Sequence, residues 1–197
     1  MPIRLPFSKL SLWQQSAFCC ALLERMLPNY AMFSQAAEFG DVNVLRQQLD
    51  VLWQKLESSQ KLKVNLDTQL GKLEEHIPDP EAFDFFGVFP ALDVCMAMIS
   101  TLQAIDSKDA EEFSNVSRLS ENSVSYYVEL LLLEEFGELQ DVSQQDIKQY
   151  PLMQWEIATQ NELFDFLKNS PENKATCKQA KDMVLEEGIS NLGIEIG

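Results

Sequence analysis

The spacing of apolar side chains predicts helices along almost the whole chain. Within residues 45–56, leucines recur at intervals of four, three and four residues, and apolar residues recur with the same spacing in residues 66–77. This period places the apolar positions on one face of a helix. Residues 11–27 are apolar on nearly all sides near their centre, which is typical of a helix buried in the middle of a domain.

Signals for helix ends divide this pattern into about eight helices. Asp41, Asn65 and Asp109 are predicted N-caps, and Pro28 is predicted to begin a second helix because proline suits the first helical position. The predicted helices begin near residues 11, 28, 42, 66, 90, 110, 152 and 171. Residues 189–197 alternate apolar and polar side chains and are predicted to be an extended tail, docked on the bundle or on another subunit. The sequence therefore predicts an all-α fold, a compact multi-helix bundle in one domain spanning residues 1–197.

Composition agrees with this fold class and places the protein in the cytoplasm. The 7 glycines and 8 prolines are too few for the frequent turns of an all-β fold. The 4 cysteines include no C-x-x-C pair, which favours a reducing compartment. Neither a secretory signal nor an uninterrupted apolar run of about 18 residues occurs. We therefore expect a cytoplasmic protein without a membrane partner.

The net charge of −16 is concentrated in the second half of the chain. Residues 81–197 carry 22 acidic and only 7 basic side chains, whereas residues 1–80 carry 9 and 8. A negative field repels phosphate backbones, so direct binding to nucleic acid is disfavoured. Binding to a basic partner or a cation remains compatible with this charge.

Common catalytic and metal-binding motifs are absent from the sequence. The chain has 1 histidine, His76, so it lacks the paired Glu-x-x-His motifs of di-iron bundles and the Cys/His spacing of zinc sites. It also lacks the glycine-rich nucleotide motifs and the nucleophile elbow of hydrolases. His76 is predicted to be an exposed cation at a helix C-terminus. We therefore predict no catalytic residue, no metal site and no cofactor. The sequence favours a protein that is not an enzyme and leaves open an enzyme that uses paired carboxylates.

Five polar residues in apolar surroundings are the candidates for a ligand or partner surface. They are Glu24, Arg25, Asn29, Asp93 and Glu156. The structural explanation is that Glu24 or Glu156 pairs with Arg25, and that Asp93 lies in the first turn of its helix, where the helix dipole favours an acid. If exposed, these residues would form a surface for a partner. If the carboxylates converge in a cleft with shifted pKa values, they would form a pocket.

The sequence resembles the YjaG-like bacterial family, a domain of unknown function. Motifs that carry the resemblance include ERMLPNYAMF at 24–33, FGVFPALDVC at 86–95, QWEI at 154–157 and GISNLGI at 188–194. The resemblance covers nearly the whole chain and implies a compact helical protein of a Gram-negative cytoplasm. It implies no activity, substrate or cofactor. This chain has Phe86 and Phe89 where relatives have tyrosines, so a role of those hydroxyl groups does not carry over.

Three functions are compatible with these observations. The first is a non-enzymatic adaptor or regulator that contacts a protein partner. The second is a helical bundle that binds a small molecule or a cation through clustered carboxylates. The third is an acidic mimic of nucleic-acid phosphates that occupies a basic protein. A homodimer with contacts through Ile194 and Ile196 of the tail is compatible with each of them.

Overall fold

The described part of the chain contains helices and one isolated β-bridge as its regular secondary structure. The computed structural model describes residues 3–58, 61–137 and 142–196. Met1, Pro2 and Gly197 of the predicted domain lie outside these ranges. The helices are α1 (Leu12–Ala37), α2 (Val42–Glu57), α3 (Leu66–Leu73), α4 (Val88–Ser107), α5 (Ala110–Phe136), α6 (Gln144–Gln149), α7 (Pro151–Lys168) and α8 (Lys174–Leu185). The predicted all-α fold class is confirmed.

Helix α1 occupies the centre of the bundle. It contacts α2, α4, α5, α7 and α8. Its residues are buried on every side from Gln15 to Leu27, as the continuous apolar pattern predicts. A helix in this position can carry side chains toward several neighbours at once, and the candidate site uses this property.

Local capping signals were read correctly at three helices. The side chain of Asp41 accepts a hydrogen bond from the backbone N–H of Asn43 at 2.9 Å, and Asn65 accepts one from Thr68 at 3.1 Å. Asp109 caps α5 in the same way. These bonds satisfy N–H groups that have no partner within the helix.

The prediction that Pro28 begins a separate helix is wrong, because α1 continues through it. Proline lacks an N–H group, so the carbonyl of Glu24 loses its usual partner one turn earlier, at a cost of about 3 kcal/mol. The packing of α1 offsets this cost, since Leu27 and Asn29 on either side of the proline are both buried. The burial of α1 along its length therefore stabilises the continuous helix more than Pro28 destabilises it.

Other boundaries differ from the sequence prediction as well. Helix α4 begins at Val88 and not at Pro90, and α8 begins after the N-cap Asn173 and not at Pro171. Helix α6 was not predicted. It is a short segment that begins with a capping box between Ser143 and Asp146. The predicted number of helices still equals the number described, because two errors cancel. The first two predicted helices are the single helix α1, and α6 was not predicted.

The tail packs on its own chain as a compact turn. An antiparallel bridge joins Ile189 to Glu195, and the N–H of Ser190 donates to the carbonyl of Ile194 at 2.7 Å. Leu192 and Ile194 pack on a small second hydrophobic cluster formed with the C-terminal half of α5, α6 and the start of α7. Of the two predicted docking places for the tail, the bundle is therefore the one observed, and Ile194 makes its contacts within the chain.

Helix α4 is long and apolar enough to cross a membrane by length and composition alone. Its mean hydropathy over Val88–Ser107 is 1.6, although Asp93 and Asp106 interrupt the apolar run. Because 67% of that segment is buried against the rest of the protein, its apolarity is accounted for by its position in the core. Ala91, Val94, Met98 and Leu102 recur at helical spacing along α4 and are all buried.

Candidate binding site

A buried ion pair joins the central helix to α7. Arg25 of α1 donates through Nη1 to the Oε2 atom of Glu156, and both side chains are fully excluded from solvent. The guanidinium also lies over the ring of Trp155, 4.1 Å from its centroid. The sequence analysis offered Glu24 and Glu156 as partners for Arg25, and the structure selects Glu156. A buried pair of this kind fixes the relative position of the two helices.

Buried donors on two helices satisfy the second oxygen of Glu156. Its Oε1 accepts from the hydroxyl of Ser120 at 2.6 Å and from Nε2 of Gln160 at 2.7 Å. Gln160 in turn binds Ser117, accepting from its hydroxyl at 2.5 Å and donating to its carbonyl at 3.1 Å. These bonds add α5 to the network and leave neither oxygen of the carboxylate without a partner.

The network continues from α5 into the tail and back to α1. Asn191 donates through Nδ2 to the carbonyl of Ser120 at 3.3 Å and to its hydroxyl at 3.2 Å. Its Oδ1 accepts from Nδ2 of Asn29 at 2.8 Å, and its backbone N–H donates to the carbonyl of Arg25. The amide orientations are therefore fixed in series: Ser120 orients Asn191, and Asn191 orients Asn29.

Three atoms of this network lack a partner among the described residues. They are Nε and Nη2 of Arg25 and Oδ1 of Asn29. The two Arg25 atoms belong to a guanidinium that already binds Glu156 and stacks on Trp155. Asn29 differs, because it is also one of the residues that line a cavity.

A cavity of about 280 Å³ lies where the main hydrophobic core meets the second cluster. Its wall is formed by residues of α1, α4 and α5, by the tail, and by the segment that precedes α4. The lining residues are Asn29, Met32, Phe33, Ala36, Phe85, Phe86, Gly87, Pro90, Tyr127, Leu192 and Ile194. None of them is charged, and the amide of Asn29 and the hydroxyl of Tyr127 are the only polar side-chain groups among them.

Aromatic side chains form two sides of this cavity. Phe33 stacks on Phe85 with ring centroids 5.7 Å apart, and Phe86 lies against Tyr127 at 5.8 Å. Met32 and Phe85 are exposed at 57% and 42%, so the apolar lining reaches the surface. An apolar concavity that opens to solvent between large aromatic side chains is typical of a binding site.

The five predicted site residues do not form a shared exposed surface. Arg25, Asn29 and Glu156 belong to the buried network, and Glu24 is 8% exposed. These four side chains are buried and hydrogen-bonded within the chain, and the assignment of the five residues to a ligand or partner surface stays a prediction. Asp93 is half-buried and binds the hydroxyl of Ser123 at 2.6 Å.

The three predicted carboxylates do not converge on one cleft either. Glu24 binds Arg46 through both oxygens, at 2.6 and 2.7 Å, and accepts from the indole N–H of Trp53 at 2.8 Å. Burial raises the pKa of Asp93 to about 6, partly opposed by its bond to Ser123. Because α4 begins at Val88, Asp93 lies beyond the first turn, and the predicted dipole stabilisation does not apply. None of the three carboxylates lines the apolar cavity described above, and the carboxylate-lined pocket stays a prediction.

His76 also differs from its prediction. Its Nδ1 accepts a hydrogen bond from the backbone N–H of Asp41 at 3.1 Å. Its carbonyl accepts from the hydroxyl of Tyr30 at 2.7 Å. The imidazole is half-buried, not exposed, and connects the end of α3 to the start of α2.

The serines of the network are functional residues that were not predicted from the sequence. Ser117, Ser120 and Ser123 recur every third residue on α5, and all three are buried. This polar stripe on the inward face of a long helix was a readable signal. Gln160 and Asn191 had no comparable signal, since only the fold brings them to Glu156 and Ser120.

Within residues 3–58, 61–137 and 142–196, no group of three or more His, Cys, Asp or Glu side chains is arranged to hold a metal ion. The four cysteines are buried and free, and burial raises the pKa of Cys95 to about 12. As expected from the sequence, Cys19 and Cys20 pack as small apolar residues.

The fold and the site together define an all-α protein with a buried polar network beside an apolar cavity. The family model described as "Protein of unknown function (DUF416)" matches residues 2–195. This chain belongs to that family.

Relatives of this family match along their whole lengths. The uncharacterized protein YjaG of Escherichia coli (strain K12) is 35% identical over 195 residues, which cover 98% of this chain and 96% of that protein. An uncharacterized protein of Haemophilus influenzae is 34% identical over 197 residues. The crystal structure of a DUF416 family protein from Shewanella baltica superposes with a TM-score of 0.84 at 34% identity, covering 98% of this chain and 100% of that one. The recognition made from the sequence motifs is confirmed.

Proposed function

We propose that this protein is a non-enzymatic binding protein that takes a small, largely apolar molecule into the cavity between α1, α4, α5 and the tail. The observation that supports this function is the cavity itself, about 280 Å³ in volume and walled mainly by aliphatic and aromatic side chains. Burying an apolar surface of this kind against a ligand is favourable by about 25 cal/mol per Å². The proposal keeps the small-molecule class predicted from the sequence and replaces its carboxylates with an apolar wall.

The architecture of the wall favours a small ligand. The wall combines residues from three helices, the segment before α4 and the tail, and the buried network holds the tail against α1 and α5 through Asn191. A binding site assembled from fixed elements needs little ordering when the ligand enters, which lowers the entropic cost of binding. The predictions of an adaptor for a protein partner and of an acidic mimic stay predictions.

The test is equilibrium binding of 2-methylnaphthalene, a neutral apolar probe, followed by its fluorescence. With 11 non-hydrogen atoms and about 0.5 kcal/mol per atom, the expected Kd is on the order of 0.1 mM. Ile194→Trp, which places a larger side chain in the wall, should weaken binding at least tenfold.

Ile196→Trp is the matched control, because Ile196 is in the same tail, is 39% exposed and does not line the cavity. It should bind the probe as the unmodified protein does. Absence of binding to the unmodified protein, or equal binding by the two tryptophan variants, would show that the cavity is not the site.

A further inference from the structure

We infer that the cavity takes a compact apolar cation, whose apolar body enters the cavity while its ammonium group stays in water at an acidic mouth. This inference rests on the proposed function and adds the charge and the size of the ligand. It follows from the opening of the cavity, the charged residues beside that opening and the volume of the cavity.

The cavity has a mouth, where three lining residues are exposed to solvent. These are Met32, Ala36 and Phe85. Phe33 and Leu192 also line the cavity but are buried, so they lie deeper. A ligand can therefore place its apolar part against the buried residues and leave its other end at the mouth. A charged group that stays in water keeps its hydration and avoids the cost of burying a charge.

Every charged residue within two sequence positions of a lining residue is acidic. These residues are Glu38, Asp84, Glu129 and Glu195. Among the residues that the structure describes, no Lys, Arg or His forms an ion pair with any of them. The lining itself contains no charged residue. The charges next to the cavity are thus of one sign and are not neutralised by a basic partner.

Three of these acidic residues are exposed and lie beside the wall because of their place in the chain. Asp84 directly precedes Phe85 of the mouth, and Glu38 follows Ala36 by two residues at the end of α1. Glu195 directly follows the last lining residue of the tail. Since consecutive Cα atoms lie about 3.8 Å apart, their carboxylates are within about 10 Å of the lining. That distance is close to one Debye length at moderate salt, so these charges act on a cation at the mouth.

The size of the effect follows from Coulomb's law in water. At low salt, one carboxylate about 9 Å from an ammonium group raises its affinity by a factor of about two. Three carboxylates therefore favour a cation about fivefold, and they disfavour an anion of the same shape by a similar factor of about five. The expected ratio between the affinities of the two ligands is on the order of 30.

The volume of the cavity limits the apolar part of the ligand. A dry apolar cavity of about 150 Å³ holds a molecule of benzene in another protein. By proportion, a cavity of about 280 Å³ accommodates roughly 11 non-hydrogen atoms. The ligand class is therefore an aryl or short branched alkyl ammonium compound.

The experiment measures equilibrium binding of three probes with the same ring system to the full protein, followed by their fluorescence. The probes are (2-naphthylmethyl)ammonium, 2-methylnaphthalene and 2-naphthoate. At about 10 mM salt, we expect the cation to bind on the order of 30-fold more tightly than the anion. At about 0.5 M salt this ratio should fall to about two, because the charges of the mouth are then screened. The affinity of the neutral probe should change by no more than a factor of about two.

Two double variants with the same net charge identify where the preference arises. Asp84→Asn with Glu195→Gln removes two exposed carboxylates beside the cavity and should reduce the ratio of cation to anion affinity about tenfold at low salt. Glu162→Gln with Asp165→Asn is the matched control, because it removes two exposed carboxylates of α7. The control should reduce the ratio by less than a factor of about two.

The control pair lies toward the opposite end of the bundle from the cavity. The carbonyl of Leu167, near the end of α7, accepts from Nε2 of Gln14 at the start of α1 at 2.9 Å. The cavity lies instead at the end of α1, around Met32. With a rise of about 1.5 Å per residue along α1, the control pair is about 20 Å from the mouth.

The outcomes separate this inference from the proposed function. Equal reductions in the two double variants would show that the net charge of the whole protein causes the preference, and would overturn the role of the mouth. Equal binding of cation and anion to the unmodified protein, or tighter binding of the anion, would overturn the inference and leave a cavity that binds 2-methylnaphthalene. Ile194→Trp should weaken the cation as it weakens the neutral probe, and unchanged binding would place the cation outside the cavity. Failure of all three probes to bind would overturn both proposals.

Discussion

The Arg25–Glu156 ion pair allows a quantitative prediction about stability. Glu156→Gln preserves the shape of the side chain but replaces one oxygen with an NH2 group. In either orientation of the new amide, this donor faces another donor, Arg25 on one side or Ser120 and Gln160 on the other. Since both members of the pair are fully buried, we expect the free energy of unfolding to fall by about 3–5 kcal/mol.

Urea unfolding measures this loss. The transition would be followed by circular dichroism and by tryptophan fluorescence, because Trp155 stacks on Arg25 and reports on the same site. With a slope of about 2 kcal/mol per molar urea, the midpoint should fall by about 2 M. The double variant Arg25→Met with Glu156→Gln should lose clearly less than the sum of the two single losses, because the second change removes a charge already without its partner.

A control for this experiment lies on the surface. Lys178 and Asp182 form an ion pair with both side chains more than half exposed, so Asp182→Asn should change stability by no more than about 0.5 kcal/mol. Two results would contradict a stabilising role of the buried pair at the junction of α1 and α7. One is a loss of less than about 1 kcal/mol in the free energy of unfolding for Glu156→Gln, and the other is additive losses for the changes at Arg25 and Glu156.

Two further predictions concern single positions. Gly40 has φ of +70°, and a Cβ there would lie 2.1 Å from the hydroxyl oxygen of Tyr30. Gly40→Ala should therefore lower the free energy of unfolding by about 2–4 kcal/mol, and by less when Tyr30→Phe is also present. An equal cost in both backgrounds would show that the contact is not the cause. Asp93 has a pKa of about 6 when folded and 3.8 as the reference, so the folded state binds more protons between these values and its stability falls as the pH rises from 4 to 6. Asp93→Asn, which can still accept from Ser123, should stabilise the protein at pH 7.5 by up to about 3 kcal/mol and remove this pH dependence. Parallel pH profiles of urea midpoints for the two proteins would contradict the assignment.

Features that depend on neighbouring residues were predictable from the sequence. The caps Asp41, Asn65 and Asp109 act within one helical turn, so their residue type and position suffice. The leucine stripe of α2 was also correct, since Leu45, Leu49, Leu52 and Leu56 are all buried. Pro28 shows the limit of such local rules, because the contacts that keep α1 continuous come from distant parts of the chain.

The candidate site was only partly predictable. On α7, the polar Glu156 and Gln160 are buried, whereas the apolar Trp155 and Phe166 are only half-buried. A polar residue on an inward face gives no periodic signal, since its burial is favourable only when partners from other helices are present. Arg25 and Glu156 are 131 residues apart, and the sequence alone could state only that they were eligible to pair.

The position of Leu192 and Ile194 in the cavity wall has a consequence for biosynthesis. The other walls come from residues 29–36, 85–90 and 127, so a nascent chain can complete them while the tail is still inside the ribosome. Until the tail emerges, the growing chain lacks the part of the cavity wall that Leu192 and Ile194 supply, and Asn29 lacks its hydrogen-bond partner Asn191. Because the tail is synthesised after the other walls, it closes the site, and products truncated before it would carry an open apolar groove that chaperones and proteases can recognise.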